Sequence, residues 1–127
     1  MNKNDKKKVL IVDDEEAKRT AVGQALQDEG FATEEADNGK IGLEKALKSH
    51  PDLILLDIRM PVMGGLDMLK ELRKDEWGKE VTVVLFSSYA DPDQISQALA
   101  LGAQDYLLKS SYDLDEVVQQ LKSKLGA

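Results

Sequence analysis

Short, almost uninterrupted apolar runs alternate along the chain with longer segments in which apolar residues recur every three or four positions. The runs Val9–Val12, Leu53–Leu56, Val81–Phe86 and Tyr106–Leu108 are too short for helices and lack the alternation of half-exposed strands. Strands covered by helices on both faces read this way, as in parallel sheets. A fifth segment, Phe31–Ala36, carries Glu34 and Glu35 and predicts an edge strand, where charge discourages further pairing.

The intervening segments carry helical spacing. Ala17, Ala21, Ala25 and Leu26 mark a first helix, and Leu43, Ala46 and Leu47 a second. Leu66, Leu69 and Leu72 mark a third that starts near Gly65, and Ile95, Ala98 and Leu99 a fourth. The cleanest stripe, Leu114, Val117, Val118, Leu121 and Leu125, belongs to a fifth. Asp91-Pro92 reads as a cap followed by a first-turn proline, and Asp113 with Glu116 as a capping box. Gly30, Gly102 and Gly126 sit where helices should end.

A β-α unit repeated in this way predicts a doubly wound α/β fold on a parallel sheet. Right-handed crossovers leave two architectures: a flavodoxin-like five-stranded sheet in the order 2-1-3-4-5 with five helices, and a truncated Rossmann-type sheet. The 127 residues are expected to form a single domain with its core over about 8–125 and a flexible, basic lead-in at 1–7.

Composition narrows the function classes. Hydrophobic residues at 42% and charged residues at 32% are ordinary for a globular domain. With no cysteine, disulfides, thiolate metal sites and cysteine nucleophiles are excluded, and a reducing cytoplasm is the expected setting. No apolar run approaches the ~20 residues that span a bilayer. The basic N-terminus leads into only the apolar run Val9–Val12, unlike a signal peptide. A net charge of −7 argues against direct contact with the nucleic-acid backbone.

In open α/β sheets, ligands collect beyond the C-terminal ends of the strands. Strand 1 runs into Asp13-Asp14, strand 3 into Asp57, strand 4 into Ser87-Ser88 and strand 5 into Lys109. The first loop, Val12-Asp13-Asp14-Glu15-Glu16-Ala17, lacks the glycines and hydroxyls that cradle a phosphate. Its carboxylates would repel an anionic cofactor and suit a hard divalent cation such as Mg²⁺. Glu15 and Glu16 are accounted for by the helix macrodipole, which favours acids in a first turn. The aspartate pair and Asp57 are not, and Asp57 lies too far before Gly65 to cap the third helix. A carboxylate there can attack phosphorus and form an acyl phosphate. Such a transfer needs alignment and charge neutralisation, here from a metal between Asp13/Asp14 and Asp57 and from Lys109 on the other side. His50, the single histidine, reads as an exposed helix-terminal residue, so a phosphodonor would lie outside the chain; Trp77 reads as packing near the end of helix 3.

Four motifs in this order carry a family resemblance: Val9-Leu10-Ile11-Val12-Asp13-Asp14-Glu15; Asp57-x-x-Met60-Pro61-x-Met63-x-Gly65; Ser87; and Gly102-Ala103-x-Asp105-Tyr106-Leu107-x-Lys109. Over roughly residues 8–125 the chain resembles bacterial response regulator receiver domains of the stand-alone, chemotaxis type. The resemblance implies Asp57 as phosphoacceptor, Asp14 as a direct ligand of Mg²⁺ (or Mn²⁺), Asp13 acting mainly through water, and the Arg59 backbone carbonyl as a further ligand. It implies Ser87 as the hydroxyl that follows the phosphoryl group, Lys109 as its ion-pair partner, and Tyr106 as the aromatic that reshapes the helix 4–strand 5–helix 5 face. Arg59 and Tyr89 fall where similar domains set the access of water, and hence phosphate lifetime. Ser88, Gly64 and Ser110 depart from the common alanine, acid or amide, and proline; a Lys109–Ser110 cis bond would cost ~2.5–4 kcal/mol, so a trans bond is expected.

The implied partners are a histidine kinase or phosphotransfer protein and an unspecified protein target, with the chain a monomer or a weak phosphorylation-dependent dimer. Without an output domain, regulation is expected to pass through surface contact. Two other functions fit part of the pattern. A Mg²⁺-dependent aspartyl phosphohydrolase would share the nucleophile, but it wants a second acid two residues on, where this chain has Arg59. A phosphorylation-independent interaction module would leave the intact Asp13, Asp14, Asp57 and Lys109 without a use.

Overall fold

A computed structural model describes residues 6–89 and 91–126. The elements alternate without exception: β1 (Lys8–Val12), α1 (Glu16–Asp28), β2 (Ala32–Ala36), α2 (Gly39–Ser49), β3 (Leu53–Leu56), α3 (Gly65–Leu72), β4 (Thr82–Ser87), α4 (Pro92–Ala100), β5 (Asp105–Leu108) and α5 (Leu114–Lys124). All strand pairs are parallel and the order is β2-β1-β3-β4-β5, which removes the Rossmann-type alternative. The lead-in expected at 1–7 lies mostly outside the described residues; Lys8 already belongs to β1, and the Lys7 carbonyl accepts the Ala32 N–H at 2.9 Å.

Continuous apolar strands arise here because alternate residues feed two separate cores. On one face Leu10, Val12, Ile54, Leu56, Val83 and Leu85 meet Ala46 of α2, Met68, Leu69 and Leu72 of α3, and Ala98 of α4. On the other, Val9, Ile11, Leu53, Leu55, Val84, Phe86 and Leu107 meet Val22 and Leu26 of α1 and Val117, Val118 and Leu121 of α5. Each such buried aliphatic side chain contributes about 1.5–3 kcal/mol over leaving it exposed.

The helix faces differ from expectation in four places. In α1 the buried face is Val22, Gly23 and Leu26, while Ala17 and Ala21 are exposed, because alanine's small apolar surface does little to choose a face. In α2, Gly39, Gly42 and Ala46 face inward and Leu47 is exposed: a Cβ on Gly42 would lie 2.9 Å from both Val12 methyls, so a small residue lets α2 approach β1. In α4 only Ala98 is buried, leaving Leu99 half exposed, and Leu114 at the start of α5 is likewise exposed. The caps are as the sequence indicates: Asp91 accepts the N–H groups of Asp93 and Gln94, and Asp113 and Glu116 form the reciprocal box.

One side chain organises the far end of the molecule. Arg73 donates to the carbonyls of Leu101 at 2.7 Å, Gly78 and Val81 at 2.8 Å and Gly102 at 3.2 Å, fastening the α3–β4 and α4–β5 connections. Burial lowers its pKa below the ordinary arginine value. Nearby, His50 ends α2 in the left-handed conformation (φ 50°) and stacks on Trp77, with ring centroids 4.3 Å apart. His50 therefore sits before β3, at the opposite end of that strand from Asp57.

Candidate functional site

The sheet ladder continues one residue past the strands and thereby places the backbone of the site. Asp13 N–H donates to the Ala36 carbonyl at 3.0 Å, Asp57 N–H to the Val12 carbonyl at 2.9 Å, and Lys109 N–H to the Ser87 carbonyl at 2.8 Å. With Val12 opposite Leu56 and Ser87 opposite Leu108 in register, the residues that follow the strands emerge together on one rim. Gly65 closes the rim from below: a Cβ there would stand 2.0 Å from the Asp57 carbonyl oxygen. Among the described residues no peptide bond is cis, so Lys109 enters its loop through a trans bond to Ser110.

Asp13, Asp14 and Asp57 each present a carboxylate oxygen within 4.8 Å of the others; Asp13 and Asp57 are buried and Asp14 is exposed. Lys109, itself buried, reaches Asp13 Oδ2 at 2.8 Å, Glu15 Oε1 at 2.6 Å and Asp57 Oδ2 at 3.5 Å. Burial alone would weaken the lysine's hold on its proton, but the hydrogen bonds to Asp13 and Glu15 and the charges of Asp57 and Asp13 outweigh it and raise its pKa above 10.5. The Lys109 hydrogen bond, in turn, holds Glu15 below its ordinary 4.5. Asp57 behaves in the opposite sense. Its burial outweighs the attraction of Lys109 and, with the repulsion of Asp13 and Asp14, raises its pKa from 3.8 to about 6 despite the bond from Ile58 N–H.

One lysine does not neutralise this group of acids. Hard oxygen donors in close array with excess negative charge fit a divalent cation that shares one or two carboxylates with water. The residues present thus suit the divalent metal that the family resemblance implies.

A cleft lined by Asp14, Glu15, Asp57, Arg59, Ser88 and Tyr89 opens onto these acids. The Arg59 guanidinium lies 3.7 Å above the Tyr89 ring. Ser87 is fully buried and its Oγ accepts the Tyr89 N–H at 3.2 Å, whereas Ser88 is exposed and lines the cleft. Tyr106 is half-buried on β5 and its hydroxyl donates to the Tyr89 carbonyl at 2.6 Å. The residues expected at the site, Asp13, Asp14, Asp57, Arg59, Ser87, Tyr89, Tyr106 and Lys109, are thus gathered at or beside one rim, whereas His50 and Trp77 stack on each other away from it.

Two residues of this rim were given no role in the site by the sequence. Glu15, accounted for by the macrodipole alone, is the N-cap of α1 and makes the shortest contact to Lys109. Arg19 donates from Nη1 to the Asp13 carbonyl at 2.8 Å and from Nε to Glu35 at 2.9 Å, bracing the β1–α1 turn. The only sequence signal for either is proximity to the acidic pair.

Comparison with known proteins agrees with this geometry. The family model for the response regulator receiver domain matches residues 9–122. The chain is 33% identical over 118 residues to sporulation initiation phosphotransferase F of Bacillus subtilis, covering 93% of each protein. It is 39% identical to chemotaxis protein CheY-3 of Vibrio cholerae, covering 86% of this chain and 83% of that one. Against regulatory protein AtoC of Escherichia coli, 42% identical, it spans only 23% of the relative's length. The crystal structure of a CheY-like receiver domain protein from Methanospirillum hungatei superposes with a TM-score of 0.88 at 30% identity, covering 95% of this chain and 94% of that one. Among the described residues no helix is long and apolar enough to cross a membrane. The chain therefore belongs to the response regulator receiver domain family, the regulatory modules of two-component signalling.

Proposed function

We propose that the protein accepts a phosphoryl group on Asp57 and holds it as an acyl phosphate, with Mg²⁺ (or Mn²⁺) bound by Asp13, Asp14 and Asp57 and by the Arg59 backbone carbonyl. The observation that carries this reading is a buried aspartate at a strand end with two further aspartates within 4.8 Å and a buried lysine 3.5 Å away. When bound, the metal supplies neutralisation of the phosphoryl oxygens. The carboxylate oxygen of Asp57 forms the new bond to phosphorus while the bond to the donor, a phosphohistidine of a kinase or phosphotransfer protein or a small acyl phosphate, breaks and its electron pair leaves with the donor. Lys109, held between Asp13 and Glu15, is placed to pair with a phosphoryl oxygen as negative charge accumulates beside Asp57. Hydrolysis adds water to phosphorus and returns the Asp57 carboxylate and inorganic phosphate.

Ser87 and Tyr106 transmit the event. A hydroxyl drawn to the phosphoryl group would give up its bond from Tyr89 N–H, and Tyr106, bonded to the same residue, would respond. The α4–β5–α5 surface, where Leu99 is exposed and Tyr106 half-buried, is the face whose populations then shift toward partner binding. Arg59 and Tyr89, at the cleft mouth, set how readily water reaches the acyl phosphate.

Incubation with Mg²⁺ and acetyl phosphate, followed by intact mass, tests the proposal. One phosphoryl adduct is expected, stable to neither acid nor base, dependent on Mg²⁺ and missing in Asp57→Asn. An adduct that persists in Asp57→Asn, or none in the parent protein, refutes it.

A further inference from the structure

Glu15 precedes α1 without doing what an acid at that position ordinarily does. As N-cap its side chain should accept an N–H of the first turn, yet it makes no such bond. It reaches instead for Lys109, with Oε1 2.6 Å from Nζ, while its own backbone N–H donates to Asp13 Oδ1 at 2.9 Å. Asp13 Oδ2 lies 2.8 Å from the same ammonium. Asp13, Glu15 and Lys109 therefore close a ring of polar contacts, and Asp57 stands outside it. Asp57 Oδ1 accepts the Ile58 N–H at 2.8 Å. Its Oδ2 is 3.5 Å from Lys109, beyond the ~2.7–3.2 Å of a hydrogen bond.

That gap needs a cause. A buried ammonium and a buried carboxylate attract strongly, and a lysine stem is flexible enough to close on its partner. Something must pull the other way. We infer that Glu15 is a positioning residue that holds Lys109 off Asp57, leaving Asp57 Oδ2 and one ammonium N–H uncommitted until a phosphoryl group arrives. The inference rests on Asp57 as the phosphoacceptor. Of the three N–H donors of the ammonium, Asp13 and Glu15 occupy two. A lysine closed on Asp57 would stabilise the carboxylate as it stands and weaken it as a nucleophile. Held back, the ammonium keeps its remaining donor for phosphoryl oxygens, whose charge it meets only as transfer proceeds. In Glu15→Ala, water can take the vacated N–H but brings no charge to balance Asp57, so Lys109 moves inward.

The test uses the full chain in wild type, Glu15→Gln, Glu15→Ala and Glu16→Ala. Phosphorylation by acetyl phosphate at saturating Mg²⁺, followed by intact mass, should run roughly three- to tenfold slower in Glu15→Ala. Glu15→Gln, which keeps an acceptor but no charge, should fall between Glu15→Ala and wild type. Glu16→Ala removes an equal, exposed charge outside the Lys109 contact and should stay within about twofold of wild type. Crystals grown in EDTA supply a readout independent of phosphorylation. In Glu15→Ala, Lys109 Nζ should lie about 3 Å from Asp57 Oδ2, against 3.5 Å in wild type. A Glu15→Ala rate equal to or above that of wild type, or an unchanged Lys109–Asp57 distance, while the wild-type adduct forms normally, overturns the role of Glu15 alone. Absence of any adduct in wild type overturns the phosphoacceptor reading, and the role of Glu15 with it.

Discussion

Replacing Asp57 by Asn is expected to stabilise the metal-free protein at neutral pH, although it removes a charge that faces a lysine. Burial of the Asp57 carboxyl, offset in part by Lys109 and reinforced by Asp13 and Asp14, raises its pKa from 3.8 to about 6. A folded-state pKa above the unfolded one means that the native protein binds the proton more tightly. Stability is then lost as pH rises from about 4 to about 6, and the penalty is fully present above that window. At about 1.4 kcal/mol per pH unit, the shift corresponds to at most about 3 kcal/mol. The carboxylate opens onto a cleft, and solvent screening brings the expected penalty to about 1–2 kcal/mol. Against this stands the contact to Lys109 at 3.5 Å, but Lys109 keeps Asp13 at 2.8 Å and Glu15 at 2.6 Å, and an Asn oxygen can still accept the Ile58 N–H. Burial therefore wins over the lost ion pair.

Urea unfolding in EDTA, followed by Trp77 fluorescence across this range, measures the difference. The two proteins should match near about pH 4 and diverge by about 1–2 kcal/mol by about pH 7.5, and excess Mg²⁺ should close the gap by stabilising wild type selectively. An Asn variant no more stable than wild type at neutral pH, or a gap of equal size at both ends, would refute the reasoning.

Lys109→Met leaves Asp13 and Asp57 buried without their cation and should cost about 3 kcal/mol at neutral pH, with a smaller loss in mild acid as Asp57 takes a proton; a pH-independent loss in chemical denaturation would contradict this. Val62 is the centre of a γ-turn at φ 69°, closed by Met63 N–H to the Pro61 carbonyl at 2.7 Å, and is 78% exposed. A β-branched residue is strained there, so Val62→Asn should raise stability by about 1 kcal/mol, and an unchanged melting temperature would count against the strain. Arg73→Lys loses the planar fork that serves four carbonyls and should cost about 2–4 kcal/mol, with faster amide exchange localised to residues 98–104. Uniformly faster exchange would argue against a local staple. Gly65→Ala forces a Cβ to within 2.0 Å of the Asp57 carbonyl, and displacement of that backbone should lower both stability, by about 2–3 kcal/mol, and Mg²⁺ affinity measured by calorimetry.

The fold was legible in the chain because its three central strands are buried on both faces and its helices carry turn and cap residues with clear physical meanings. Apolar runs such as Leu53–Leu56, the Asp91-Pro92 cap and the Asp113/Glu116 box each admit one local structure, and parallel β-α repetition does the rest. The rim was legible too, since Ser87 closes a strand and Asp13, Asp57 and Lys109 each follow one, and parallel strands in register bring such positions to one edge. Helix faces were less so: alanine and glycine leave the choice to packing, which turned Gly42 inward and Ala17 and Ala21 outward.

Only tertiary structure decided which charges pair. Lys109 stands 94 positions from Glu15 in the chain and meets it at the rim; nothing local distinguishes that acid from Glu16 beside it. Tyr89 likewise has no periodic or capping signature, and its three contacts come from β3–α3, β4 and β5 together. Hydrophobic pattern and backbone propensity are properties of neighbouring residues, so they can be read along the chain. Pairing of charges, stacking on an aromatic ring and the upward pKa of Asp57 depend on distance and burial in space, and they exist only once the sheet has brought the strand ends together.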